Sequence, residues 1–277
     1  MSHTELREQT TASVQEQAGY FEVPGAHLYT VLHPVENPVA RVLLAGPFAS
    51  ERHFSYHPWV RWGRYLAARS VEVLRFDYRG VGESTGNFEE TTFEDWEEDV
   101  RLLAEWLSRR SPDLPLFLHG LEVGAILAAK AFTRGIGDGL LLWSPPAHAN
   151  QALRSILLLW AGLEQMWESS ENRTSAAEYI RKMEQGATIE VQGYRWTDRL
   201  WRSSFDVQLP AEVMGENSPN TTYGRQVKTV KLDRFAAPLV KPHLQYHEIK
   251  DLSWLYAENF DWVRSVLSQP AVRLNEE

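Results

Sequence analysis

Residues 114–132, LPLFLHGLEVGAILAAKAF, constrain what this chain can fold into more than any other stretch. Residues 114–118 are a short apolar run of the kind that forms a fully buried strand. Gly120-Leu121-Glu122-Val123-Gly124 follows, and residues 125–132 read as a helix of small residues. The order is strand, glycine-bounded turn, helix. Paired glycines are required where such a turn is sharp and the helix runs so close to neighbouring strands that no Cβ fits. The residue at the apex of the turn is Glu122.

The chain has 277 residues, enough for one large α/β domain with an excursion or for two small domains. A net charge of −9 argues against nucleic acid or an anionic membrane as the main partner. Cysteine is absent, which removes disulfides, thiolate metal sites and cysteine nucleophiles together. No apolar run approaches the length of a membrane span. Residues 1–17 lack the basic start and apolar centre of a signal peptide and read as a polar, frayed tail, so a cytoplasmic location is expected.

Along the chain, residues 18–23 and 27–33 are strand-like runs around Pro24-Gly25, the pattern of an antiparallel hairpin. Residues 41–45 form a buried strand. A polar loop with Ser50, Glu51, Arg52, His53, Ser55 and His57 precedes a helix over 59–68, and 71–76 is the next strand. Thr92, with Asp95 three residues on, opens a helix by a capping box, and Phe93, Trp96, Val100, Leu103 and Leu107 make its buried stripe. After the glycine turn, residues 139–143 are a further strand. Strict alternation of strand and helix from 41 to 143 predicts a mostly parallel central sheet with crossover helices. The regularity then breaks. Helices over 149–167 and 175–185, a short strand at 188–191 and a short helix at 198–203 make residues 147–205 a helical lid, inserted over the strand ends where open α/β sheets bind ligands. The core is thus 18–146 and 206–277, closed by strands at 226–232 and 244–249 and a helix over 252–267.

The glycine turn has the spacing of an α/β-hydrolase nucleophile elbow, G-x-Nu-x-G, with Glu122 in the nucleophile position. Several runs carry a narrower likeness: F-A-x-E-x-x-x-S from Phe48, D-Y-R-G-x-G-x-S-x-G-x-F from Asp77, T-x-x-x-W-x-x-D from Thr92, and M-E-Q-G-A-T-I-E-V-Q-G-Y from Met183. Together they resemble the bacterial exosortase A system-associated hydrolases, the second type in particular, over about residues 40–200. The resemblance implies an α/β-hydrolase fold, an elbow at which serine is itself replaced, and a link to exopolysaccharide production and protein sorting.

A working triad needs a nucleophile, a base within hydrogen-bond reach and an acid to orient the base. The nucleophile position holds Glu122. The loop before the closing helix, where this superfamily places its base, is Lys250-Asp251-Leu252-Ser253 and has no histidine; His243 and His247 read as edge or surface residues and Asp233 as a solvated loop residue. Ordinary serine-type hydrolysis is therefore not expected. Glu122 could attack carbon as a carboxylate nucleophile, could cap the following helix, or could pair with His119, Arg52 or His53. The backbone N–H groups of Phe48 and Val123 stand where an oxyanion hole forms, and Glu122 beside them favours a neutral or cationic ligand over an anion. Ser50 and His53 border the site. No helical His-x-x-x-His pair is recognised, so neither a metal nor a cofactor is expected. Three readings stay open: a silent fold binding a small molecule under the lid or a protein partner, a hydrolase with displaced or carboxylate-based residues, and a docking module using the tryptophan-rich lid.

Overall fold

A computed structural model describes residues 15–167, 174–214, 220–222, 225–232 and 251–269. The expected tail up to residue 14, the strand at 244–249, Asp233, His243 and His247 lie outside these residues. Strands β1 (Gln17–Val23) and β2 (Ala26–His33) form the expected antiparallel hairpin. β3 (Ala40–Ala45), α1 (Ala49–Ala67), β4 (Val71–Phe76), α2 (Phe93–Arg110), β5 (Leu116–Leu121), α3 (Val123–Thr133) and β6 (Gly139–Trp143) then alternate as the sequence predicts. α4 (Ala149–Trp167), α5 (Ala176–Glu184), the hairpin β7 (Ile189–Val191) and β8 (Tyr194–Trp196), and α6 (Asp198–Ser203) follow β6 in the chain. β9 (Asn220–Thr222), β10 (Arg225–Val230) and α7 (Ser253–Leu267) complete the described chain. Among the described residues no helix is long and apolar enough to cross a membrane.

The sheet order is β1-β2-β4-β3-β5-β6-β10-β9. The five strands β4, β3, β5, β6 and β10 run parallel, flanked by antiparallel partners. The architecture is that of a mostly parallel α/β-hydrolase sheet. Strand periodicity places successive side chains on opposite faces. On β5, Leu116 and Leu118 face a core under α2 and α3, and Phe117 and Leu121 a second core under α1 and α7. Burial on both faces is why β3, β5 and β6 read as continuous apolar runs.

Two polar devices fix the helices to the sheet. Arg41 on β3 gives its Nε to Glu72 on β4 (2.9 Å) and its Nη1 to the Leu107 carbonyl (2.9 Å), stapling the end of α2. Thr92 and Asp95 form the capping box at the start of α2. One turn further, Trp96 is fully buried, donates Nε1 to the Arg79 carbonyl (3.2 Å) and packs against Phe48 and Phe93 at 5.0 and 5.1 Å. The elements after β6 share this core. Trp196 of β8 meets the Phe48 ring at 5.8 Å, and Trp201, Leu153 and Leu157 join the same cluster.

One element is longer than expected. Residues 49–58, read as a loop, are the first half of α1, which runs through Pro58. The Pro58 carbonyl accepts from the Tyr256 hydroxyl of α7 at 2.9 Å, so tertiary contact supports the helix where proline removes a donor.

A Cβ at residue 124 would stand 2.2 Å from the Ala45 oxygen and 2.4 Å from the Gly46 oxygen, whereas at Gly162, exposed on α4, it would meet nothing within 4 Å. Gly124→Ala should lose roughly 2–3 kcal/mol through overpacking against backbone. Gly162→Ala should gain up to about 1 kcal/mol from helix propensity. Urea midpoints of the two variants check both signs.

Candidate active site at the elbow

β5 ends at Leu121, paired with Trp143 of β6, and the chain turns at once into α3. Glu122 takes φ 53° and ψ −124°, a backbone region that L-residues rarely occupy and that costs on the order of 1–3 kcal/mol. The surroundings hold it there. Its N–H donates to the Trp143 carbonyl (2.9 Å), and its carbonyl accepts from Ala125 N (2.9 Å). A Cβ on Gly120 would come within 2.3 Å of Ala125 Cα. The turn is thus a nucleophile elbow in conformation, with a half-buried glutamate at its apex.

A cleft of about 170 Å³ opens at this apex, lined by Glu122, Val123 and Phe48 together with Glu51, Gln151 and Ser155. Phe48 is the N-cap residue of α1 and Val123 the first residue of α3. Both backbone N–H groups lack an acceptor among the described residues. The expected pair of donors and the elbow glutamate therefore share one cavity. Three of its lining residues escaped sequence reasoning. Glu51 sits in the first turn of α1, where the polar composition reads as loop. Gln151 and Ser155 stand four apart on α4, one helical turn, beside the apolar stripe that dominates its sequence.

The remaining expectations fare differently. Arg52 pairs with Asp77 at 2.7 Å, not with Glu122. Asp77 also accepts from Glu83 N (3.0 Å) and so holds the glycine-rich turn after β4. His53 lines a separate, larger cavity, and the side chain of Ser50 is outside the described set. His53 and His57 stand four apart on α1, so a helical His-x-x-x-His pair is present in a stretch whose composition reads as loop. Among the described residues no group of three or more His, Cys, Asp or Glu is placed to hold a metal ion.

His119 lies on the other face of the sheet, away from the cleft. Strand alternation puts it under α1, in a cage of Trp59, Trp62 and Trp143 with ring centroids at 4.8, 6.1 and 4.6 Å. Its Nδ1 donates to the Leu141 carbonyl at 2.8 Å. Nε2 is buried without a partner among the described residues. Burial pushes its pKa down to about 3, so the ring is neutral at physiological pH. His33, whose Nε2 accepts from Arg75 Nε at 2.9 Å, is held down to about 4 by burial and then by the Arg75 charge.

Both histidines are kept neutral by the fold, so an unfolded chain binds more protons than the folded one below pH 6.5. The stability they contribute is fully present above that value and is lost as pH falls towards 4 and then 3. Between pH 6.5 and 5 each should cost about 1.4 kcal/mol per pH unit. Urea midpoints should be flat from pH 7 to 8 and fall below 6.5, with a shallower fall for His119→Phe.

Residues 37–185, more than half of the chain, match the family described as Hydrolase_4, serine aminopeptidase, S33. Similar solved structures include Est1E from Butyrivibrio proteoclasticus with ferulic acid bound, 14% identical with TM-score 0.58 over 91% of this chain and 100% of that one. A soluble variant of monoglyceride lipase from Saccharomyces cerevisiae in complex with a substrate analogue is 16% identical, TM-score 0.57, over 98% and 100%. The α/β hydrolase GrgF from Penicillium sp. sh18 is 14% identical, TM-score 0.58, over 92% and 100%. At these identities the likeness is one of fold. No curated protein matches the sequence.

Proposed function

The chain belongs to the serine aminopeptidase S33 family (Hydrolase_4), and from that premise we propose that it is a binding protein rather than a serine hydrolase, taking a neutral or cationic small molecule in the cleft at Glu122. The observation that carries the reading is the pair of carboxylates, Glu122 and Glu51, lining one cleft at the elbow. A tetrahedral oxyanion formed beside Phe48 N and Val123 N would share one cleft with the Glu122 carboxylate, and a like charge there opposes the stabilisation an oxyanion hole supplies. A neutral carbonyl or an ammonium group meets no such opposition. The insertion over residues 147–205 acts as the lid of this cleft, with α4 supplying Gln151 and Ser155 to its wall. Resemblance to the exosortase A system-associated hydrolases supports a place in a bacterial exopolysaccharide or protein-sorting system, in the cytoplasm, with a small-molecule ligand or a protein partner.

A second reading draws on the backbone. Glu122 occupies the strained conformation that presents a nucleophile, and a carboxylate there can displace a leaving group at carbon to form an ester. Two substrates separate the readings: a haloalkane, where the carboxylate would form the alkyl ester and release halide, and a p-nitrophenyl ester, where it would form a mixed anhydride and release p-nitrophenolate. The binding reading expects turnover at the buffer rate, unchanged in Glu122→Gln, and no labelling by a fluorophosphonate probe. Turnover above buffer that Glu122→Gln abolishes would establish the carboxylate nucleophile instead. Thermal-shift titration with benzylamine and benzoate adds the ligand arm: the amine should raise the midpoint of the wild type, and benzoate should not act through Glu122.

A further inference from the structure

β1 is the outermost strand at one end of the sheet, paired with β2 alone among the described residues. Five of its seven residues are exposed, and Tyr20 keeps 59% of its surface open to solvent. The alternation of an antiparallel ladder fixes which of its backbone groups face outward. Tyr29 N donates to Ser84 Oγ at 2.8 Å, and the Tyr29 carbonyl accepts from Asp77 N at 2.9 Å, both on the β4 side of β2. His27 likewise donates its N–H to Thr85 Oγ1 (2.8 Å) and accepts from Thr85 N (3.0 Å). Tyr20 and Glu22 stand directly opposite these two residues and so turn their N–H and C=O away from β2; Ala18 follows by periodicity. Six backbone groups thus point out of the open edge, with no partner among the described residues.

Edge strands are ordinarily blunted by lysine, proline, a bulge or extreme shortness. β1 has none of these. QAGYFEV holds no lysine or proline, its register with β2 is unbroken over seven residues, and Glu22 is its one charge. Such an edge is a template for another strand, and its own sequence is complementary to it. A two-fold axis normal to the sheet keeps each face on its own side. Centred on Tyr20, it pairs Tyr20 with the second copy's Tyr20 and Ala18 with the second copy's Glu22, so all six outward groups find partners. An axis at Gly19 would instead set Glu22 against Glu16, two like charges, and one at Phe21 would set Ala18 against Pro24, which has no N–H. On the other face, Phe21, packed on Trp106 with ring centroids at 5.7 Å, comes opposite the second copy's Gly19, where a Cβ would meet nothing within 4 Å. An aromatic ring across from an edge glycine is a stabilising pair.

We propose that β1 pairs antiparallel with β1 of a second copy of this chain, joining two eight-stranded sheets edge to edge about an axis at Tyr20. Three strands separate β1 from β5, so the interface does not depend on the reading of the elbow.

Sedimentation velocity of the full chain tests it. A species of twice the chain mass should form with a dissociation constant below ~100 μM. Tyr20→Pro removes an N–H that faces outward, a position at which edge strands accept proline, and should leave a monomer throughout. Ala18→Glu sets a carboxylate against Glu22 at both ends of the interface and should weaken association by about threefold or more. Ala18→Lys sets an opposite charge there and should leave association as tight or tighter. A monomeric wild type overturns the proposal, whether the edge is bare or covered by the chain's own first residues. So does a dimer that persists in Tyr20→Pro, which would place the interface elsewhere. Should Tyr20→Pro fail to fold, the Ala18 variants decide: equal association of Ala18→Glu and Ala18→Lys also overturns it.

Discussion

The first turn of α3 lies against the end of β3 with no atom to spare, and the geometry around the elbow follows from that contact. Gly124 faces the carbonyl oxygens of Ala45 and Gly46 at distances a Cβ would close to 2.2 and 2.4 Å. With the helix drawn in so far, the chain leaving β5 has a single residue in which to reverse, and that residue must take a positive φ. The strain at Glu122 is the consequence, met by the hydrogen bond to Trp143 and by the packing of Gly120 on Ala125. Close approach also brings the α3 N-terminus beside the start of α1, which is why Phe48 and Val123 line one cleft.

What stands at the apex then decides the chemistry. The same turn holds a serine where a hydrolase attacks a carbonyl, and the same two N–H groups receive the oxyanion. Here the apex carries a carboxylate with a second one, Glu51, in the wall. The elbow backbone is kept while its apex carries a glutamate in place of a serine. His119, three residues earlier in sequence, takes no part: strand alternation sends it into a tryptophan cage on the opposite face. Nearness in sequence to an elbow does not place a side chain in the cleft.

Much of this was legible in the sequence because the signals were local and repeated. The stripe from Phe93 to Leu107 is buried as its spacing requires, and the Thr92–Asp95 capping box forms. The alternation from residue 41 to 143 gave the parallel sheet. Features that depend on distant contacts were not legible. The first half of α1 carries polar and histidine residues and ends at a proline, so local propensity reads as loop; the hydrogen bond from Tyr256, some 200 residues away, is invisible in the pattern. β5 runs on through Gly120 because its ladder with β6 continues, although a glycine there reads as a turn. β7 and β8 are too short, at three residues each, for periodicity to register both. In that half of α1 the helix brings Glu51 into its first turn and sets His53 and His57 one turn apart, neither of which the loop-like composition shows.

Whether the elbow carboxylate reacts is open to a direct chemical readout. A carboxylate nucleophile whose ester is hydrolysed by water attacking the acyl carbon takes an oxygen atom from solvent at each turnover. Incubation of the protein with a panel of carboxylate esters and haloalkanes in ¹⁸O-labelled water, followed by mass spectrometry of the peptide containing Glu122, reads that exchange. The expected result is an unchanged peptide mass for the wild type; a gain of about 2 Da per exchanged oxygen at Glu122, absent without substrate, would contradict a binding role and make the glutamate a nucleophile.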